Sequence, residues 1–144
     1  MVKDEHSALK ASFERALEFL NAGDHVMAEK ICRKTIKEVS NSDPNIQVLL
    51  AVSLIRQGRS GSAVKRLKHT LRAFPDFPPA HEELGNALLA QNKPENAIEA
   101  FKKVLELKPD NANAMIKLGK IFKQLGRVSF FTISEWYLVA LNGF

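Results

Sequence analysis

Cysteine is almost absent from this chain. The lone Cys32, in 144 residues, has no intrachain partner, so a disulfide framework is excluded. His6, His25, His69 and His81 are scattered without ligand spacing, and with one cysteine they build no zinc pattern. No glycine-rich phosphate cradle and no nucleophile elbow occurs. Glu82, Glu83, Glu95 and Glu99 read as helix surface charges, not as an acid–base pair. The expectation is a non-catalytic protein without cofactor or metal. Glycine and proline are also scarce, 7 and 6 residues, which suits helices. No apolar run reaches the roughly 18 residues of a membrane span. The nearest approach, Val128 to Phe144, is interrupted by Glu135. The opening residues, Met1 to His6, carry both signs of charge and lack the apolar core of a secretory signal. A cytoplasmic protein with no membrane partner is therefore expected.

What is present is ordinary globular composition. Hydrophobic residues make up 45% and charged residues 26%, unlike a disordered chain. The length is about one domain and can bury a core without a metal or disulfide. The formal net charge of +5 is mild, and permits acidic partners without requiring them.

An internal repeat organises the chain. At a shift of 34 residues, Leu50, Leu84 and Leu118 fall in register, as do Ala51, Gly85 and Gly119, then Leu54, Leu88 and Phe122. Ala63 meets Ala97, Leu67 meets Phe101, Leu71 meets Leu105, and Pro75 meets Pro109. Two antiparallel helices per unit explain the spacing. Small residues such as Gly85, Gly119 and Ala97 sit where backbones approach, and Leu88, Phe101 and Phe122 fill the gaps. Gly58 and Gly126 suit helix C-termini. Asp24, and Asp110 or Asn111, suit N-caps. Pro94 suits a first helical turn. Toward the N-terminus, Leu9, Phe13, Ala16, Leu17 and Leu20 line one predicted helix over 8–22. Val26, Met27, Ala28, Ile31, Cys32 and Ile36 line the next.

This pattern resembles the tetratricopeptide repeat family, whose unit carries a large residue, Leu-Gly, a large apolar residue, Ala, Phe and a closing Pro. Leu84, Gly85, Leu88, Ala97, Phe101 and Pro109 supply those positions, and His81 stands where the family has Trp. The resemblance implies an all-α solenoid of antiparallel helix pairs. Units fall near 9–42, 44–77, 78–111 and 112–126, which is about three repeats plus a fourth first helix. The first junction, around 40–44, is one residue out of step. An aromatic-rich tail, 127–144, follows.

In such an array the first helix of each unit lines the concave surface, and an extended peptide or a partner helix is the expected ligand. The inward candidates are Asn45, Val48, Val52, Ile55 and Arg56, then Glu82, Glu83, Asn86, Leu89 and Ala90. Asn113, Ile116, Lys117, Lys120, Lys123 and Gln124 complete the row. The order runs from apolar through acidic to basic, which would fix the direction of a bound peptide. Asn86 and Lys120, each directly after a Leu-Gly pair, stand out. Some members of the family clamp the C-terminal carboxylate of heat-shock chaperones. Those positions here hold Val48, Val52, Glu83, Asn113 and Lys117, so that clamp is absent.

Charge is uneven along the chain. Residues 44–77 carry a net +5, concentrated in Arg56, Arg59, Lys65, Arg66, Lys68 and Arg72. Nucleic acid is nonetheless disfavoured, because no aromatics interleave for base stacking. The tail, with Phe130, Phe131, Trp136, Tyr137 and Leu141, lacks the polar face of a capping helix. It reads as a closing helix, as a homodimer interface, or as the apolar stub of a longer protein or an interface anchor. A protein–protein interaction scaffold is the main expectation. An accessory module of a larger, sulfotransferase-like enzyme is the alternative, and self-association through the tail is a third reading.

Overall fold

The computed structural model describes residues 2–39 and 43–126, and every regular element among them is a helix. They are α1 (Val2–Asn21), α2 (His25–Glu38), α3 (Pro44–Arg56), α4 (Ser60–Ala73), α5 (Pro78–Ala90), α6 (Pro94–Leu107) and α7 (Ala112–Gln124). The fold is an all-α solenoid of helix pairs: α1 with α2, α3 with α4, α5 with α6, and α7 packed on α6. The tail residues Phe130, Phe131, Trp136, Tyr137 and Leu141 lie outside the described residues.

Local chemistry sets the helix ends. The turns after α1, α3, α5 and α7 each carry a residue in the left-handed region: Gly23 (φ 87°), Gly58 (φ 76°), Asn92 (φ 57°) and Gly126 (φ 66°). Their spacings are 35, 34 and 34 residues, so the extra residue falls between the first two units. Glycine takes this conformation freely, and asparagine tolerates it. Three N-caps are closed by short acceptors. Asp24 Oδ1 accepts from the Met27 amide at 3.0 Å and Asp43 Oδ1 from the Asn45 amide at 2.7 Å. Asn111 Oδ1 accepts from the Ala114 amide at 2.9 Å. Pro44, Pro78 and Pro94 open their helices, where the missing amide proton costs nothing.

The core is one continuous apolar row running along the stack. It includes Ala16, Leu20, Ala28, Cys32, Leu50, Leu54, Ala63, Leu67, Ala97, Phe101, Leu105, Leu118 and Ile121. Phe101 is fully buried against Gly85, where an added Cβ would come within 2.7 Å of its ring. That close approach is why a glycine stands in α5. At Gly119, one repeat on, no described atom lies within 4 Å of such a Cβ.

Three differences from the sequence expectation stand out. Helix α1 begins at Val2, well before the expected start at position 8. Val26 and Met27 are exposed (65% and 36%) and do not join the packed face of α2, whose buried stripe is Ala28, Cys32 and Thr35. They lie in the first turn of α2. Leu17 is likewise partly exposed, on the inner side of α1. His81 meets the carbonyl of Pro75 through Nε2 at 2.7 Å and so ties α5 to the loop before it.

Adjacent units are also held by polar contacts. The Glu29 carboxylate accepts from Arg33 Nε (2.8 Å), Arg59 Nη1 (2.8 Å) and Gln57 Nε2 (2.8 Å). Burial pushes Glu29 up, but the three donors outweigh it and hold the carboxyl below its ordinary value. The amide of Gln57 also donates to the carbonyl of His25, bridging the end of α3 to the start of α2.

Candidate functional site

The first helices of successive pairs touch directly, α1 with α3 and α3 with α5, while the second helices do not pack as extensively on one another. The first helices therefore form the tighter, inner side of the stack. On α3, Val48, Val52 and Ile55 are half-buried against the core, and Arg56 is exposed at the C-terminal end. On α5, Glu82, Glu83, Asn86 and Leu89 are half-buried. On α7, Lys117 is half-buried, whereas Asn113, Ile116, Lys120 and Lys123 are exposed.

Glu83 is the centre of the inner face. Burial, with Glu82 adding to it, raises its carboxyl above the usual range; Asn86, Arg56 and Lys117 oppose that shift without cancelling it. Three helices thus converge electrostatically on one acid. Asn86 Nδ2 donates to Glu83 Oε2 at 3.2 Å. A carboxylate only accepts, so the amide nitrogen must face it. The amide oxygen then turns away, and Asn86 Oδ1 is buried with no hydrogen-bond partner among the described residues. Asn113 Nδ2 donates to Glu82 Oε1, linking α7 to α5.

Arg56, Glu82, Glu83, Asn86, Asn113 and Lys117 therefore form one cluster. Lys120 and Lys123 continue along α7, and no hydrogen bond or ion pair joins them to that cluster among the described residues. The sequence reading missed the contribution of α1. An open cavity of about 240 Å³ lies between α1 and the start of α3, lined by His6, Leu9, Lys10, Phe13, Asp43, Asn45 and Ile46. Phe13 and Leu9 were legible as a helix face. Their neighbours on α3 were not, because the first junction is out of step.

Cys32 is fully buried, and burial pushes its thiol up to about 12, so thiolate chemistry at neutral pH is unavailable to it. Among the described residues no group of three His, Cys, Asp or Glu could hold a metal ion, and no helix is long and apolar enough to cross a membrane.

Residues 85–126 match the family model of the TPR repeat, the tetratricopeptide unit. Over 55 residues, 38% of the chain, the sequence is 42% identical to the small glutamine-rich tetratricopeptide repeat-containing protein 2 of Saccharomyces cerevisiae, and spans 16% of that protein. Over 95 residues, 65% of the chain, it is 32% identical to the mouse (Mus musculus) protein O-mannosyl-transferase TMTC3, and spans 10% of it. The chain thus spans less than a fifth of these relatives. In three dimensions it is similar to the first TPR of Spaghetti (RPAP3) bound to the HSP90 peptide SRMEEVD. The TM-score is 0.77 at 22% identity, covering 83% of this chain and 97% of that one.

Proposed function

We propose that this tetratricopeptide-type solenoid is a non-catalytic recognition module that holds an extended segment of a partner protein along the inner side of α3, α5 and α7. The observation that carries the reading is the buried Asn86 Oδ1 of α5, which has no hydrogen-bond partner among the described residues. A buried acceptor without a donor costs about 1–3 kcal/mol, and a turn of the half-buried Asn86 side chain that brings the oxygen to a peptide N–H over α5 would recover it. Val48 and Val52 on one flank and Lys117, Lys120 and Lys123 on the other supply unlike surroundings for the two ends of the segment. Complementary charge then gives the segment one direction. The likeness to a domain solved with a bound peptide supports the same use of the fold.

The test is selection from a random peptide display library, followed by equilibrium binding of the selected peptide to the chain and to Asn86→Ala. Loss of a buried, paired amide is expected to weaken binding about tenfold, with helicity unchanged. Equal affinity of both proteins would sink the proposal.

A second reading, that the chain is the repeat part of a longer enzyme, is favoured by the likeness to TMTC3, of which the matched region is a tenth. Immunodetection of the native protein at a mass well above that of 144 residues would support it, and a mass equal to 144 residues would exclude it.

A further inference from the structure

We infer that the solenoid carries a second ligand site, on its outer side, where a cavity between α2 and α4 binds a phosphoryl group. The curvature that brings the first helices together parts the second ones. An open cavity of about 450 Å³ lies there, lined by Arg33 of α2 and by Ser62, Lys65, Arg66 and His69 of α4, with Leu54 of α3 at its floor.

The electrostatics of this cavity are one-sided. Helix α4 contains no acidic residue. Among the described residues no carboxylate pairs with Lys65, Arg66 or His69. Of the two acids on α2, Glu29 is already shared between Arg33, Arg59 and Gln57, and Glu38 faces Lys34. Arg33 gives Glu29 only its Nε, so its two terminal amino groups remain. Arg66 is half-buried and held in place by Nη1, which donates to Gln47 Oε1 at 2.8 Å. Burial and then the nearby Arg33 cation lower the Arg66 pKa while the guanidinium stays charged, an arrangement that an anion between them would relieve. The cavity thus presents two guanidiniums, an ammonium, an imidazole and a hydroxyl from two helices.

A phosphoryl group suits this set better than other anions. Its three oxygens can meet donors from α2 and α4 together, and guanidinium forks match it bidentately. A nucleic-acid backbone suits it less. The cations converge on one cavity, no aromatic lines it, and on the next outer helix Lys103 is paired with Glu106.

The test is an NMR titration of the whole chain with inorganic phosphate, a phosphoserine peptide and, at matched ionic strength, acetate. The expected result is saturable shifts at Ser62, Arg66 and His69 with phosphate or the phosphopeptide but not with acetate. Lys65→Glu and Arg33→Gln are each expected to weaken that binding about tenfold or more while leaving helicity intact. Lys65 is exposed, so its replacement does not threaten the fold. Tighter binding of the phosphopeptide would assign the site to a modified partner, and tighter binding of inorganic phosphate to the free ion. Shifts that fail to saturate, that acetate reproduces, or that survive Lys65→Glu would overturn the inference. So would an oligonucleotide that shifts all of α4 where phosphate shifts nothing.

Discussion

Gly85 and Gly119 hold the same place in successive repeats, and the described residues around them differ. A Cβ at Gly85 would lie 2.7 Å from two ring atoms of the fully buried Phe101, whereas at Gly119 no described atom is within 4 Å. Alanine gains about 1 kcal/mol of helix propensity over glycine. Overpacking a core costs about 1–3 kcal/mol, and the enclosed Phe101 ring cannot yield cheaply. Gly85→Ala is therefore expected to lose about 1 kcal/mol net in chemical denaturation, and Gly119→Ala to be neutral or slightly stabilising. A stabilised Gly85→Ala would show that the ring moves freely. The Leu-Gly pairs made both glycines visible in the sequence, because close backbone approach needs a small residue at a fixed spacing. The surroundings of Asn86 were not visible. Its position was, but the unpartnered oxygen depends on how Glu83 orients the amide, which only the packed helix shows.

At the scale of elements, Glu29, Gln57 and Arg59 tie α2 to the turn between α3 and α4. Gln91 stands one repeat after Gln57, yet its Oε1 is buried without a partner. The difference on the donor side is local: Glu29 has no acidic counterpart on α4, so no carboxylate there accepts from the Gln91 amide nitrogen as Glu29 does from Gln57 Nε2. The bridge between the first two pairs is thus individual to this chain, and no repeat pattern could have announced it. Its three donors hold Glu29 below its ordinary value, so the folded state binds that proton less readily than the unfolded chain. Its contribution is present above the unfolded carboxyl pKa of about 4.3 and is lost as pH falls through the lower folded value. Glu29→Gln is expected to cost about 1–3 kcal/mol at pH 7 and to flatten the acid limb of the stability curve. Thermal denaturation between pH 3 and 7 checks this, and an unchanged acid limb would mean that the three contacts contribute nothing. The helix pairs themselves were legible in the sequence, since their turns recur at near-constant spacing through Gly23, Gly58, Asn92 and Gly126.

At the scale of the molecule, repetition lines up the first helices, and the proposed function makes the chemistry of their surface the determinant of the partner. At the positions that the resemblance assigns to a carboxylate clamp, Val48 and Val52 carry no charge and the half-buried Glu83 is acidic. A peptide ending in Glu-Glu-Val-Asp is accordingly expected to show no saturable binding by fluorescence anisotropy. Binding in the micromolar range would require another set of cations. The inner and outer sides carry separate proposals, and one measurement distinguishes them. Amide chemical shifts of the whole chain, recorded with and without a peptide selected from a random library, report which side of the solenoid it covers. The account predicts shifts centred on α3, α5 and α7, at Val52, Asn86 and Lys117, and their loss in Asn86→Ala. Shifts confined to α2, α4 and α6, or centred away from Asn86, would contradict it.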